Sequence, residues 1–483
     1  MKTPSILSLA PLQVVQAVVG FGALAAFTRL MSAEAFGLYA LVLSVSLAAH
    51  TLLFTWAEAA AFRHFSLSQA GRRLADHFAT LLGAVVVLGA LVAAATWIGL
   101  RNFAPSTDVV AVTAFAAGAM VLRFVIRIAR ETDRAELAFG RYATFEAIYF
   151  GLGFAAGLAL LFAFDLGAAA PFAGLMIAAG VVALFDAPRL YQRARGGYAT
   201  FTRARTYASY GGPLALALGI DLAVQATARL LLMLQADAAA LGGYAAAFGL
   251  SRPIDLVFLG LNAAFAPLLL QAYERHSVED ARDMARRAFT LMAALALPAC
   301  VGLALVAQPL AALMIGESVR TQAGQALPWM ALATLMSGFA LYYWSEAFQL
   351  ARRTGLRALL MLAPGAVQLA ATFALAPMLG ATGAAIASVA AAATSFCLLA
   401  AVGRGLVALP LPLGALVRIL TATVAMALCV AALPQDALAA RVIVGAAIYA
   451  AAALVLNIAD ARTNVARVLR ARFAAPSLAQ DTK

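Results

Sequence analysis

The chain consists of fourteen apolar stretches separated by short polar connections, which fixes its solvent before any motif is considered. They lie at about 8–28, 37–57, 79–98, 109–126, 145–164, 170–187, 211–233, 241–270, 289–314, 326–347, 358–377, 381–401, 415–433 and 440–458, each near the roughly 20 residues that cross a hydrocarbon layer. In lipid a peptide N–H or C=O finds no water, so each stretch must satisfy its own backbone as a helix. A chain that is 64% hydrophobic and 12% charged has too little polar surface for a water-soluble domain. The expected fold is an all-α polytopic membrane protein with about fourteen transmembrane helices.

The cationic residues alternate between connections. With the N-terminus inside, the even-numbered connections carry Arg63, Arg72 and Arg73, then Arg127, Arg130, Arg134 and Arg141, then Arg189, Arg193, Arg195, Arg203 and Arg205, and so on to the C-terminal tail. The odd-numbered ones hold Arg101, Arg320 and Arg441, with Arg29 at the border of the first helix. Retention of positive charge inside sets orientation, so both termini are expected in the cytoplasm of a bacterial inner membrane. Topogenesis also explains most of the net charge of +12. The Arg are spread over short loops without a basic stripe, which argues against a nucleic-acid partner. Any surplus attracts anionic membrane lipids.

Several chemistries are disfavoured. Cys300, Cys397 and Cys429 stand alone in apolar stretches without CxxC spacing and read as small core hydrophobes. His64, His77 and His276 lie in or beside cytoplasmic loops without metal-ligand spacing, so no metal is expected. A nucleotide-binding P-loop needs a Lys, and the chain's lysines are Lys2 and Lys483. Gly151, Gly153 and Gly157 imitate a dinucleotide fingerprint, but within an apolar stretch they read as small residues that let helices approach. Lys2 and the first apolar run loosely imitate a signal peptide; the run's length, Gln13 and Gln16 favour a first membrane helix. No catalytic cluster and no cofactor are expected. The outer connections, longest around Arg101–Asp108 and Gly316–Gln325, are too short for the catalytic loop of a membrane-embedded glycan polymerase or ligase.

Gly37-Leu38-Tyr39-Ala40, after the first helix, returns 205 positions later as Gly242-Gly243-Tyr244-Ala245, after the seventh. Two six-helix lobes would produce this repeat, as in transporters built from duplicated bundles. The expected division is residues 1–207 and 208–402 as lobes, 403–458 as two additional helices and 459–483 as a basic cytoplasmic tail.

Several motifs in this order resemble the polysaccharide and O-antigen flippases of the multidrug, oligosaccharidyl-lipid and polysaccharide exporter superfamily. They are Arg29 to Glu34 with Gly37 and Tyr39; Arg63; Tyr210-Gly211-Gly212-Pro213; Arg229 to Leu232; Tyr244; Phe265-Ala266-Pro267; and Pro377 with Gly380 to Ala385. The resemblance spans roughly the first 400 residues. Many relatives carry an Asp directly before the Arg of the seventh helix, where this chain has Ala228. The resemblance implies a MATE-like transporter that moves an undecaprenyl-diphosphate-linked oligosaccharide across the inner membrane by alternating access, with Na+ or H+ as coupling ion. A multidrug exporter or a lipid II flippase of the same superfamily is the alternative.

Charges inside the apolar stretches nominate the site, because an anionic diphosphate crossing a low-dielectric layer needs fixed cations in a wet cavity. Arg stays charged and grips phosphate oxygens with a planar fork. The expected cargo-binding residues are Arg252, Arg229, Arg123, Arg29 and Gln225. Arg252 has a second reading, neutralisation by Asp255 one turn on. Arg229 could instead snorkel to the outer interface, as could Arg29, while Arg123 could belong to the cytoplasmic cluster with Arg127 and Arg130. Asp221, Gln225 and Arg229 recur at spacings of four and share one helical stripe. Asp221 and Asp255 are the coupling candidates, with a structural salt bridge or hydrogen bond as the other reading of Asp221. Glu58, Glu146, Asp186 and Glu346, near cytoplasmic helix ends, read as solvated interface residues.

Overall fold

The computed structural model describes residues 10–71, 73–103, 106–275 and 278–463. Lys2, Arg72, His276 and the basic tail from residue 464 lie outside the described residues.

The described residues fold into long helices joined by tight connections. The helices are α1 (Ala10–Leu30), α2 (Ala33–Arg63), α3 (Leu74–Phe103), α4 (Thr107–Ala135), α5 (Phe139–Phe164), α6 (Ala170–Ala194), α7 (Phe201–Gln235), α8 (Ala238–Arg275), α9 (Val278–Leu305), α10 (Glu317–Phe339), α11 (362–379), α12 (381–406), α13 (Leu413–Ala431) and α14 (Leu438–Val455). Thirteen continuous helical segments are long and apolar enough to cross a membrane, and one, Thr354–Leu406, holds two passes. The break between them is Gly380, with φ +52° and ψ −129°, a conformation open to glycine and strained for residues with a Cβ. Pro377 just before it removes a helical donor. The fourteen-helix expectation and the turn read from Pro377 and Gly380 both hold.

Several helices outrun their apolar cores. α4 continues to Ala135 and α5 begins at Phe139, so Arg127, Arg130, Arg134 and Arg141 are helical residues and not loop residues. Side-chain caps start several elements: Ala35 N–H donates to Ser32, Val109 N–H to Ser106, Arg203 N–H to Thr200 and Ala240 N–H to Asp237.

Packing divides the chain into two compact units, the first reaching Ala246 and including Met314–Arg320, the second formed by Ala247–Leu313 and the residues from Thr321 on. In the first unit α2 packs extensively along α7, and α5 along α6. The glycines behind the false dinucleotide fingerprint explain the latter: a Cβ at Gly174 of α6 would strike the backbone of Gly153 and Gly157 on α5. A buried aromatic and aliphatic core joins Phe54, Phe78, Phe124, Ile128, Leu190 and Tyr207, and His77 meets the Tyr207 hydroxyl within it. In the second unit Phe258, Phe289, Phe339, Tyr343 and Trp344 form the centre of another core. Of the three cysteines, Cys300 is buried as expected, but Cys397 and Cys429 are exposed on their helices, which corrects their reading as core residues.

Candidate functional site

In the first unit α7 carries the polar stripe seen in the sequence. Asp221 is exposed and accepts a 2.8 Å hydrogen bond from Gln225 Nε2, one turn along. Arg229, two turns from Asp221, is half-buried and donates to the Ser44 hydroxyl on α2, with Tyr244 close enough to interact electrostatically. Arg229 therefore ties α7 to α2 and does not simply extend to the outer interface. Arg29 is exposed in the last turn of α1.

Arg123 has its own partner on α5. Its Nη2 lies 2.8 Å from Glu146, and its guanidinium stacks 4.1 Å from the Tyr149 ring centroid. A half-buried Arg between a carboxylate and an aromatic face has both its charge and its plane matched.

In the second unit Arg252 and Asp255 meet across 3.5 Å, one turn apart on α8. The Arg252 side chain is 53% exposed, although it lies about 21 Å along a helix long enough to span a bilayer. Asp255 also accepts from the Tyr342 hydroxyl at 3.5 Å. Tyr342 belongs to a π-helical turn, Ala340–Trp344, that interrupts the α-helical course after α10. Such a turn inserts one residue and re-aims its neighbours, a device common at functional sites. Beside it, Ser251 of α8 accepts from Thr334 of α10 at 3.1 Å.

The structure thus brings together Asp221 with Gln225, Arg229 with Ser44, Arg123 with Glu146, and Arg252 with Asp255. It also corrects the reading of four carboxylates as solvated. Asp186 and Glu146 are buried, as are Glu58 and Glu346. Asp186 takes the fully buried Arg130 at 2.7 Å and Arg141 at 3.0 Å. Asp133 adds Arg189 at 2.7 Å. Glu58 holds His50 at 2.8 Å and faces Arg127 at 3.5 Å. Glu346 accepts from Gln349 at 3.0 Å. Outside the spans, His64 is held below the ordinary imidazole range by partial burial and by neighbouring Arg63.

Sequence reasoning missed His50, which sits in an apolar run with its partner two turns away. The signal was present: an imidazole and a carboxylate on one membrane helix, with Arg on a neighbour.

Residues 26–321 match the model of a family described as polysaccharide biosynthesis protein, more than half of the chain. The chain belongs to that family. No curated protein matches this polysaccharide biosynthesis family member. Its fold is shared with a lipid II flippase, MurJ, in an inward closed conformation, at a TM-score of 0.77 and 12% identity over 94% of this chain and 99% of that one. An inward-facing multidrug resistance MATE family transporter of the MOP superfamily follows at 0.63 and 16% identity, covering 82% and 95%. A MOP superfamily transporter from Pyrococcus furiosus with a binding pocket of reverse polarity gives 0.54 and 17% identity, covering 83% and 96%. At these identities the likeness establishes the fold. The family member is accordingly a multi-pass membrane protein with the architecture of this transporter superfamily.

Proposed function

We propose that this protein flips an undecaprenyl-diphosphate-linked oligosaccharide from the cytoplasmic to the periplasmic leaflet of a bacterial inner membrane by alternating access. The observation that carries the reading is the coincidence of two independent likenesses: a sequence match to a polysaccharide biosynthesis family and a fold shared nearly end to end with a lipid II flippase. The half-exposed Arg252 within a membrane-spanning helix supports it, because an accessible guanidinium there suits an anionic cargo and repels a cationic drug.

In this reading both termini are cytoplasmic. Arg252, Arg229 and Arg29 meet the diphosphate, Gln225 offers its amide to sugar hydroxyls, and Arg123, held by Glu146, contributes field. Asp221 and Asp255 are the carboxylates the sequence nominates for coupling, with Na+ or H+ as the ion. The cycle needs no cofactor.

The test is direct. Purified protein is placed in vesicles containing a fluorescent undecaprenyl-diphosphate-linked oligosaccharide, and the fraction accessible to a membrane-impermeant quencher is followed. Protein-dependent growth of the accessible fraction is expected. Movement of cationic dyes in the same vesicles, with a static lipid-linked sugar, would favour multidrug export instead.

A further inference from the structure

A pair of titratable side chains in the first unit lies apart from the residues assigned to cargo. His50 sits in the middle of α2, about 25 Å along the helix from its start. Its Nε2 is 2.8 Å from Glu58 Oε1, two turns toward the cytoplasmic end. Phe54, between them in sequence, meets the imidazole edge-on at 5.1 Å and stacks on Phe124 of α4 at 4.3 Å, giving the pair an apolar wall. The second Glu58 oxygen faces Arg127 Nε at 3.5 Å, Arg127 reaches Glu131 at 2.8 Å, and Glu131 takes Arg134 at 2.9 Å. An ionic chain therefore runs from mid-span to the end of α4.

With the imidazole neutral, the charges of Glu58, Arg127, Glu131 and Arg134 cancel. One added proton creates a cation 2.8 Å from a carboxylate whose other oxygen already faces Arg127. The imidazole is 18% exposed and Glu58 7%, so the proton acceptor is the more accessible partner. An ionisable side chain within a span is expensive as mere packing, and histidine exchanges its proton near neutral pH. Asp221, by contrast, is exposed, and Asp255 is held by Arg252.

We propose that His50 and Glu58 bind the proton that couples transport to the proton gradient. In the loaded state the imidazolium donates Nε2–H to Glu58. On release the imidazole returns one proton to water, keeps one N–H, and leaves Glu58 to Arg127. The loaded and empty states thus pull α2 toward α4 to different degrees. Charged groups on the elements packed against α2 include Arg123, Arg127, Arg130, Glu131, Asp133 and Arg134 on α4, Arg203, Asp221 and Arg229 on α7, Asp76 and His77 on α3, and Arg29 on α1, with Glu146 behind Arg123. This inference rests on the transporter reading and resolves its choice between Na+ and H+.

Two measurements on the full chain separate the proposals. In lipid nanodiscs with 15N-labelled histidine, the resonance missing from His50→Gln should change on acidification, and Glu58→Gln should move that change to lower pH. A His50 resonance that ignores pH, or whose response ignores Glu58→Gln, overturns the proton site. In vesicles carrying the undecaprenyl-diphosphate-linked oligosaccharide, an imposed proton gradient should change the wild-type rate. His50→Gln and Glu58→Gln should each lose that difference. Persistence of the wild-type response in both variants overturns the coupling role. A titrating His50 in a protein that leaves the lipid-linked sugar static would support proton binding and refute the cargo.

Discussion

Gly37 of α2 lies against the carbonyl of Ala238, the first residue of α8. The contact is reciprocal. Gly242 and Ala238 stand 205 positions after Gly37 and Ala33, and a Cβ built on Gly242 would lie 3.4 Å from the Ala33 carbonyl. The caps repeat too, with Ser32 holding Ala35 N–H and Asp237 holding Ala240 N–H. The two helix starts cap alike and meet at this crossing. The short repeat read in the sequence is therefore a structural repeat.

This crossing tolerates no side chain at Gly37. Gly37→Val should destabilise the protein by about 1–3 kcal/mol through overpacking, because the backbone of Ala238 occupies the Cβ position. Gly20→Ala, where a Cβ meets nothing within 4 Å, should instead stabilise α1 by roughly 0.5–1 kcal/mol. Thermal melting of the purified protein in detergent checks both. A wild-type midpoint for Gly37→Val would mean that the crossing opens freely.

The Arg130 cluster makes the opposite demand. Arg130 is fully buried, with Asp186 at 2.7 Å and Asp133 at 3.1 Å. Removing one partner strands a buried charge, so Asp186→Leu should cost about 3–5 kcal/mol, and Arg130→Met with Asp186→Leu should recover part of the loss. The amount of folded protein after membrane extraction is the measurement. Equal loss in the single and double variants would show that Asp133 and Arg141 dominate the cluster.

What the sequence revealed and what it hid divide along one physical line. Helix number and the break at Gly380 depend on local composition, and were legible. The pairings depend on which helices become neighbours. Arg130 and Asp186 are 56 positions apart and Arg127 and Glu58 are 69 apart, so each carboxylate looked like a solvated helix end until α2, α4 and α6 packed together. His50 differs, since Glu58 lies two turns along the same helix and was visible beside it; packing added only Arg127. Arg252 and Asp255, one turn apart, could be paired by inspection.

Arg441 was read as an outer loop charge, yet it is buried and donates to the carbonyls of Leu305 at 3.0 Å, Leu433 at 2.7 Å and Pro434 at 2.9 Å. These groups close the ends of α9 and the turn after α13. Arg441→Ala leaves these partly exposed carbonyls without that donor and should cost about 1–3 kcal/mol, with water replacing part of the loss. Hydrogen exchange should quicken in the last turns of α9 and α13 while α2 and α4 keep their protection. Uniform quickening would mean that the two C-terminal helices support the whole fold.

Arg252 separates stability from transport. Its contact with Asp255 is long, its side chain is half exposed, and Phe248 lies 5.9 Å beneath the guanidinium. Such a pair contributes at most about 1 kcal/mol, so Arg252→Ala should reach the membrane at wild-type levels and melt normally. If the guanidinium grips a diphosphate, the same variant should export no polymer in a strain lacking the chromosomal copy. Arg252→Lys should restore export only in part, because an ammonium keeps the charge and loses the two-pronged geometry. Surface polymer measured beside protein abundance gives the answer. Full export by Arg252→Ala would make the Asp255 contact structural and move phosphate recognition to Arg229 and Arg29.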